Sequence, residues 1–233
     1  MIYIVIPTYN EKENISNLIQ AITSLDIVDL KMLIVDDNSP DKTADIVEAM
    51  KNNYPIELLK RPGKLGLGSA YIDGFKYAIK HGATMVMEMD ADFSHNPKDV
   101  PRLIEEVKVG VYDASIGSRK IKGGGVVGWN FKRRFMSNMA MAFSRFFLGL
   151  QTRDVTAGFR CYSVDIFKKI NLDTIHSNGY AFQEELIYKI EKSKFKIKEV
   201  PVIFVDRKFG KSKLGIKDII GFFVVMIRLR LKI

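Results

Sequence analysis

Two rhythms of apolar residues succeed one another along the first part of the chain. Residues 2–6, 31–35 and 56–60 are short, largely apolar runs, the pattern of buried strands. Between the first two, residues 12–24 set Ile15, Leu18, Ile19 and Ile22 at helical spacing. Residues 43–51 repeat that rhythm behind Asp41, a side chain suited to capping a helix start. Residues 69–80 predict a third helix closed by His81 and Gly82, and 84–90 a fourth strand. Strand and helix in alternation predict an α/β fold with a central parallel sheet joined by right-handed crossovers.

The pattern loosens after Asp92. Residues 97–107 read as helix, 114–118 as strand, and 123–125, three glycines, as a flexible loop before a helix over 132–148. Residues 178–192 predict a helix, 196–204 a strand and 216–231 a final helix. No shift of composition divides the chain, so 1–233 is expected to be one domain.

Parallel sheets bind ligands beyond the carboxyl ends of their strands. Polar clusters follow each of the first four predicted strands there: residues 7–11, 36–39, 61–68 and 90–92. The last closes the run MVMEMDAD. If the strand stays extended to its end, Asp90 and Asp92 project from one face, and an oxygen-rich pair suits a hard cation, Mg²⁺ or Mn²⁺, that carries phosphates. Solvated loop carboxylates show the same spacing, so the pair alone leaves both readings open. Glu88 shares the parity of Asp90 and is expected to need a neutralising partner elsewhere. His95 is read as structural rather than as a metal ligand, and Trp129 as packing. Gly66 and Gly68 lack the third glycine of a dinucleotide fingerprint.

Composition narrows the partners. The 233 residues carry a formal net charge of +9, concentrated in the second half around Lys120–Arg134 and 207–217. An anionic partner follows, and the absence of aromatic–arginine interleaving or a helix-turn-helix pattern turns the reading away from nucleic acid. The single cysteine, Cys161, and an amino terminus without a secretory pattern point to the cytoplasm. No run reaches the roughly 20 apolar residues of a membrane span. Residues 219–227, followed by Arg228, Arg230 and Lys232, fit either an interfacial membrane helix or a terminal helix docked on the domain.

With these residues in place, the chain resembles the family 2 glycosyltransferases of GT-A fold, and within them the dolichol-phosphate mannose synthases. The segments that carry the resemblance are IVIPTYNEKENI (4–15), LIVDDNSPDKTADI (33–46), GLGSAYIDGFKYA (66–78), MDADFSHNP (89–97), GSRK (117–120), TAGFRCYS (156–163), GYAFQEELIYK (179–189) and FVDRKFGKSKLG (204–215). They stand in order along nearly the whole chain. The resemblance implies a Rossmann-like nucleotide-sugar-binding fold and inverting transfer of mannose from GDP-mannose to a polyprenyl phosphate such as dolichyl phosphate.

By that resemblance Pro7, Tyr9, Glu11, Val35 and Asp37 hold the guanosine, and Asp90, Ala91 and Asp92 meet the ribose and diphosphate. Asp92 is then the catalytic metal ligand, with Ser94 at the second metal position, for Mg²⁺ or Mn²⁺. Arg207 and Lys213 belong to a late basic motif suited to close over the diphosphate. Arg119, Arg133 and Ser137 are implied to bind the acceptor phosphate, the last two one helical turn apart. The acceptor phosphate is already ionised, so its attack needs orientation and charge neutralisation rather than a protein base. Two other functions remain open: the same chemistry with UDP-glucose or another nucleotide sugar, and a non-catalytic nucleotide-sugar module that recruits a membrane partner. The expected location is the cytoplasmic face of a membrane, anchored by the terminal helix or by a separate membrane protein.

Overall fold

A computed structural model of the chain describes residues 1–177, 179–206 and 216–231. Its first half is the expected alternation. Strands β1 (Ile2–Thr8), β2 (Leu30–Asp36), β3 (Ile56–Lys60) and β4 (Met85–Glu88) are joined by helices α1 (Ile15–Thr23), α2 (Thr43–Met50) and α3 (Leu67–Lys80). The four strands run parallel in the spatial order β3-β2-β1-β4. Chain order therefore reverses at β1, and its carboxyl end is a topological switch point, where open parallel sheets take their ligands.

Successive side chains of β1 feed two cores. Ile2, Ile4 and Ile6 pack in one cluster with α1 and with α4 (Val100–Lys108), whereas Tyr3 and Val5 pack in the other with α3 and α7 (Tyr180–Lys192). The buried stripe of α1 is Ile15, Leu18, Ile19 and Ile22, the four positions given by spacing. Helix α3 lies so close to the sheet that a Cβ at Gly74 would stand 2.3 Å from Val5 Cγ1, an approach only glycine admits.

Beyond β4 the architecture departs from the pattern. Strand β4 stops at Glu88, so Asp90 and Asp92 lie in the turn that follows, and strand alternation does not align them. Strand β7 (Arg160–Ser163) enters the sheet between β4 and β5 (Ala114–Ser118), antiparallel to both. The sequence gives no sign of it, because a four-residue strand headed by arginine has no apolar run. Parallel pairing of β8 (Ile197–Pro201) with β5 completes a seven-stranded, mostly parallel sheet flanked by helices, β3-β2-β1-β4-β7-β5-β8.

The strand expected over 196–204 is two. Proline has no N–H to continue the ladder beyond Pro201, and β9 (Ile203–Val205) leaves the main sheet to pair with β6 (Gly125–Val127). Gly125 thus opens a strand rather than closing a loop. The helix expected from Pro97 starts as a 3₁₀ turn, Pro97–Asp99, with the Asn96 side chain as its cap. After the short α6 (Asp165–Lys169), the helices α5 (Phe131–Leu148), α7 and α8 (Ile216–Leu231) meet in a third cluster through Met141, Leu148, Ile187, Met226 and Leu229. No helix among the described residues is long and apolar enough to cross a membrane.

Candidate active site

The loops after β1, β2 and β3 are laced together at the switch point. Pro7 pairs in register with Val35, and Thr8 with Asp36, which sets Pro7, Tyr9, Glu11, Val35 and Asp37 on two adjacent strand ends. Thr8 Oγ1 donates to Asp36 Oδ1 at 2.8 Å, and the N–H of Asp37 to the Thr8 carbonyl at 3.0 Å. The N–H of Glu11 donates to Thr43 Oγ1 at 3.0 Å, while Asp41 accepts the N–H groups of Thr43 and Lys12 and so ties the two loops. The cap position of α2 itself falls to Lys42, in a left-handed conformation and without a side-chain cap, rather than to Asp41 as expected. Asp37 fixes the third loop. Its Oδ1 accepts Arg61 Nη1 at 2.6 Å, and its Oδ2 accepts the N–H groups of Leu65 and Gly66. Above that loop the Lys64 ammonium lies 4.2 Å from the centroid of the Tyr9 ring.

Asp90 and Asp92 are brought together by a tight turn that Phe93 closes with a left-handed φ of 60°. Asp90 Oδ1 accepts the Tyr71 hydroxyl at 3.3 Å, and its backbone N–H donates to His95 Nδ1 at 3.2 Å. Asp92 Oδ1 accepts the N–H of Ser94 at 3.0 Å. The Ser94 hydroxyl is buried and has no hydrogen-bond partner among the described residues. Burial lowers the His95 pKa to about 4 against the pull of Asp92, so the imidazole is neutral; with Nδ1 accepting, its proton sits on Nε2. The ring stacks on Phe159 at 4.9 Å, which makes it a spacer for the turn. The partners of Glu88 are also settled: Tyr162 Oη donates to Oε1 at 2.9 Å and Gln183 Nε2 to Oε2 at 2.6 Å. Burial raises the Glu88 pKa, and the buried Arg160 guanidinium opposes that rise.

A groove of about 1040 Å³ runs from Asp90 and His95 between α5 and α8. Arg119, Arg133 and Ser137 line its polar end, and Phe135, Met139, Phe143 and Phe222 are among its apolar walls. Arg119 is held by Asp154, which is wholly buried: Nε meets Oδ2 at 2.7 Å, Nη2 meets Oδ1 at 2.6 Å, and the Arg119 N–H adds a third bond at 2.8 Å. Burial works to raise the Asp154 pKa, but the hydrogen bonds and charge of Arg119 hold it below the ordinary carboxylate value. Asp154 was not among the sequence candidates, although it stands just upstream of the TAGFRCYS segment. Arg133 pairs with Asp206 Oδ2 at 2.8 Å. Arg207 and Lys213 lie outside the described residues.

Residues 3–171 match the family model for glycosyl transferase family 2. The chain belongs to this family. It is 40% identical over 216 residues to the undecaprenyl-phosphate mannosyltransferase of Micrococcus luteus, across 91% of this chain and 86% of that protein. It is 37% identical over 214 residues to the polyprenol monophosphomannose synthase of Mycolicibacterium smegmatis, across 91% and 80% respectively. Its fold is similar to that of glucosyl-3-phosphoglycerate synthase from Mycobacterium tuberculosis, solved with Mn²⁺, uridine-diphosphate-glucose and phosphoglyceric acid. That similarity has a TM-score of 0.70 at 18% identity and covers 100% of this chain and 79% of the other. At that identity the likeness concerns the fold, and it is the GT-A architecture implied by the sequence.

The glycosyltransferase groove contains a second unusual carboxyl. Glu184 on α7 is wholly buried, lines the groove, and has its pKa pushed up to about 8 by burial. Proton positions agree. The Ser144 hydroxyl has one proton and two acceptors in reach, Glu184 Oε1 at 2.7 Å and the Ala140 carbonyl at 3.0 Å, and a carbonyl cannot donate. A protonated Glu184 donating to Ser144, which donates to Ala140, satisfies all three. Between the ordinary value of 4.5 and about 8, the folded state then keeps a proton that the unfolded state gives up. Stability from this group is full below 4.5 and is lost as pH rises through 8. Glu184→Gln, neutral throughout, is expected to flatten the melting temperature against pH over that window and to raise it at pH 8; an unchanged slope would show Glu184 to be ionised.

Proposed function

We propose that this family 2 glycosyltransferase moves mannose from GDP-mannose to a polyprenyl phosphate, with inversion at the anomeric carbon, on the cytoplasmic face of a membrane. One observation carries the reading: a single groove joins the Arg119, Arg133 and Ser137 cluster to a trough walled by phenylalanine and methionine. An ionised phosphate on a hydrocarbon chain has that same division of chemistry. The names of the two bacterial relatives, a mannosyltransferase and a phosphomannose synthase acting on polyprenyl compounds, support it.

In this reading the laced loops bearing Pro7, Tyr9, Glu11, Val35 and Asp37 bind the nucleoside. Asp90, Ala91 and Asp92 face the ribose and diphosphate, together with Arg207 and Lys213. The residues fit a divalent cation. Asp92 and the unpartnered Ser94 hydroxyl are both oxygen donors, as hard cations prefer, and Mg²⁺ commonly takes one or two carboxylates and completes its shell with water and substrate phosphates. When bound, Mg²⁺ or Mn²⁺ would supply charge stabilisation to the departing diphosphate. An acceptor phosphate oxygen forms the bond to the anomeric carbon as the bond to the diphosphate breaks, and GDP leaves with the electron pair. Arg119, Arg133 and Ser137 orient the nucleophile, and no proton needs to be removed by the protein.

Incubation of the protein with GDP-mannose, Mg²⁺ and a short-chain polyprenyl phosphate is expected to yield a lipid-linked mannosyl monophosphate. Transfer from UDP-glucose but not from GDP-mannose would overturn the donor, and absence of transfer from any nucleotide sugar would favour a non-catalytic module.

The membrane face is assigned to α5 and α8 on the domain 1–233. Phe131, Phe135, Phe146, Phe223 and Ile227 are exposed there, and Lys132, Arg134, Arg228 and Arg230 lie on the same two helices. Met226 and Leu229 of α8 belong to the core, so the terminal helix both docks and presents an apolar face. Phe135→Ser with Ile227→Ser is expected to reduce co-sedimentation with anionic vesicles several-fold, and added salt to weaken wild-type binding. Wild-type protein that fails to sediment with such vesicles would assign anchoring to a separate membrane protein.

A further inference from the structure

The chain has one tryptophan, and it stands between the two arginines of the groove. Arg133 Cζ lies 4.2 Å from the Trp129 ring centroid and Arg119 Cζ 5.7 Å from it. Phe204 meets the same ring edge-on at 5.6 Å and its ring centroid lies 5.5 Å from Arg119 Cζ, so Arg119 faces two aromatic side chains and Trp129 alone faces both cations. Trp129 lines the groove beside Arg119, Arg133 and Ser137. Its indole Nε1 is buried and has no hydrogen-bond partner among the described residues.

Both guanidinium groups already face carboxylates, Asp154 and Asp206. The two pairs differ. Asp154 grips Arg119 through two parallel bonds in a dry site, whereas Arg133 and Asp206 are joined by one bond and are each about a third exposed, at 33% and 28%. An incoming phosphate therefore competes with Asp206 for Arg133 far more readily than with Asp154 for Arg119. If the Asp206 pair alone fixed Arg133, that exchange would release the side chain at the moment it is needed. A ring face attracts the cation whichever anion sits on the other side, so it keeps the guanidinium in place through the exchange. A phosphate oxygen arriving beside Arg133 would also give the buried indole N–H an acceptor, which it lacks among the described residues.

We propose that Trp129 is a positioning residue of the acceptor site, holding Arg133 and Arg119 by its ring and offering its N–H to the phosphate monoester of a lipid. The proposal rests on the reading of the groove as an acceptor site.

Because Trp129 is the sole tryptophan, its emission reports this site without a label. Titration of the full chain with a short-chain polyprenyl phosphate is expected to change that emission saturably. The matching polyprenol should leave it unchanged, and inorganic phosphate should act only at much higher concentration. Trp129→Leu removes ring and N–H together, and is expected to raise the acceptor KM about 10-fold or more. Trp129→Phe keeps a ring and should raise it about 3-fold. In both variants kcat and the nucleotide-sugar KM stay near wild type, a split that loss of fold would not produce; if Trp129→Leu does not fold, Trp129→Phe carries the same comparison. Wild-type enzyme that transfers sugar to a polyprenyl phosphate without any change of emission would overturn the role of Trp129. So would an unaltered acceptor KM in the variants. Wild-type enzyme that accepts no polyprenyl phosphate at all would instead overturn the acceptor reading beneath it.

Discussion

Asp92→Ala is expected to lower sugar transfer by about 10³-fold or more, because a metal site supplies several kcal/mol to the transition state and each 1.36 kcal/mol is a factor of ten. The charge that matters develops late. As the anomeric bond breaks, the leaving diphosphate gains negative charge, and an interaction that strengthens along that path lowers the barrier rather than merely tightening binding. Asp92 also has a structural task, accepting the Ser94 N–H at 3.0 Å, whose loss costs about 1 kcal/mol. Asp92→Asn separates the two roles, since an amide oxygen still accepts that bond while the charge is gone. Both variants should melt within a few degrees of wild type and show no response to Mg²⁺ in transfer assays. Wild-type turnover in Asp92→Ala would remove Asp92 from the site.

The half of the sheet from β1 to β4 was legible because its signals are local. Each strand is a run of apolar residues, each helix has a stripe, and each strand end releases the chain into a polar cluster that the parallel topology gathers at one edge. The resemblance named the groove residues Arg119, Arg133 and Ser137, which the structure brings to one cavity. What stayed hidden depends on distant partners. Arg160 carried no reading of its own in the sequence, yet its guanidinium is buried on β7, where the carbonyls of Gln183 and Val155 accept from it at 2.9 Å each. Glu88 looked like a carboxylate without a counterpart until Tyr162 and Gln183 arrived from a strand and a helix far along the chain. Alternation in an assumed strand aligned Asp90 with Asp92, whereas a turn pinned by His95 and Tyr71 holds Asp90 in the structure.

Asp154 is the clearest of these hidden residues, and its replacement is the second large effect. With side-chain exposures of 0% for Asp154 and 8% for Arg119, the pair is dry, so Asp154→Ala takes the carboxylate from a buried guanidinium that keeps its bond to Thr156 Oγ1 at 2.8 Å. Removing one partner of a buried pair costs about 3–5 kcal/mol, a loss that urea unfolding at pH 7 would read directly. Transfer should fall as well, by about 10²-fold, the scale of misplacing a binding group by an ångström. The pH dependence has a definite sign. Arg119 holds the Asp154 pKa below its ordinary 3.8, so the stabilisation is present above that value and is lost as pH falls through the lower, folded one; the variant should lack this part of the acid transition. Arg119→Met with Asp154→Ala removes both charges, and should recover much of the stability because no ion is left unpaired. It should not recover transfer. Stability regained with activity still absent would show that Asp154 serves the reaction through Arg119, whereas activity regained with stability would remove Arg119 from the acceptor site.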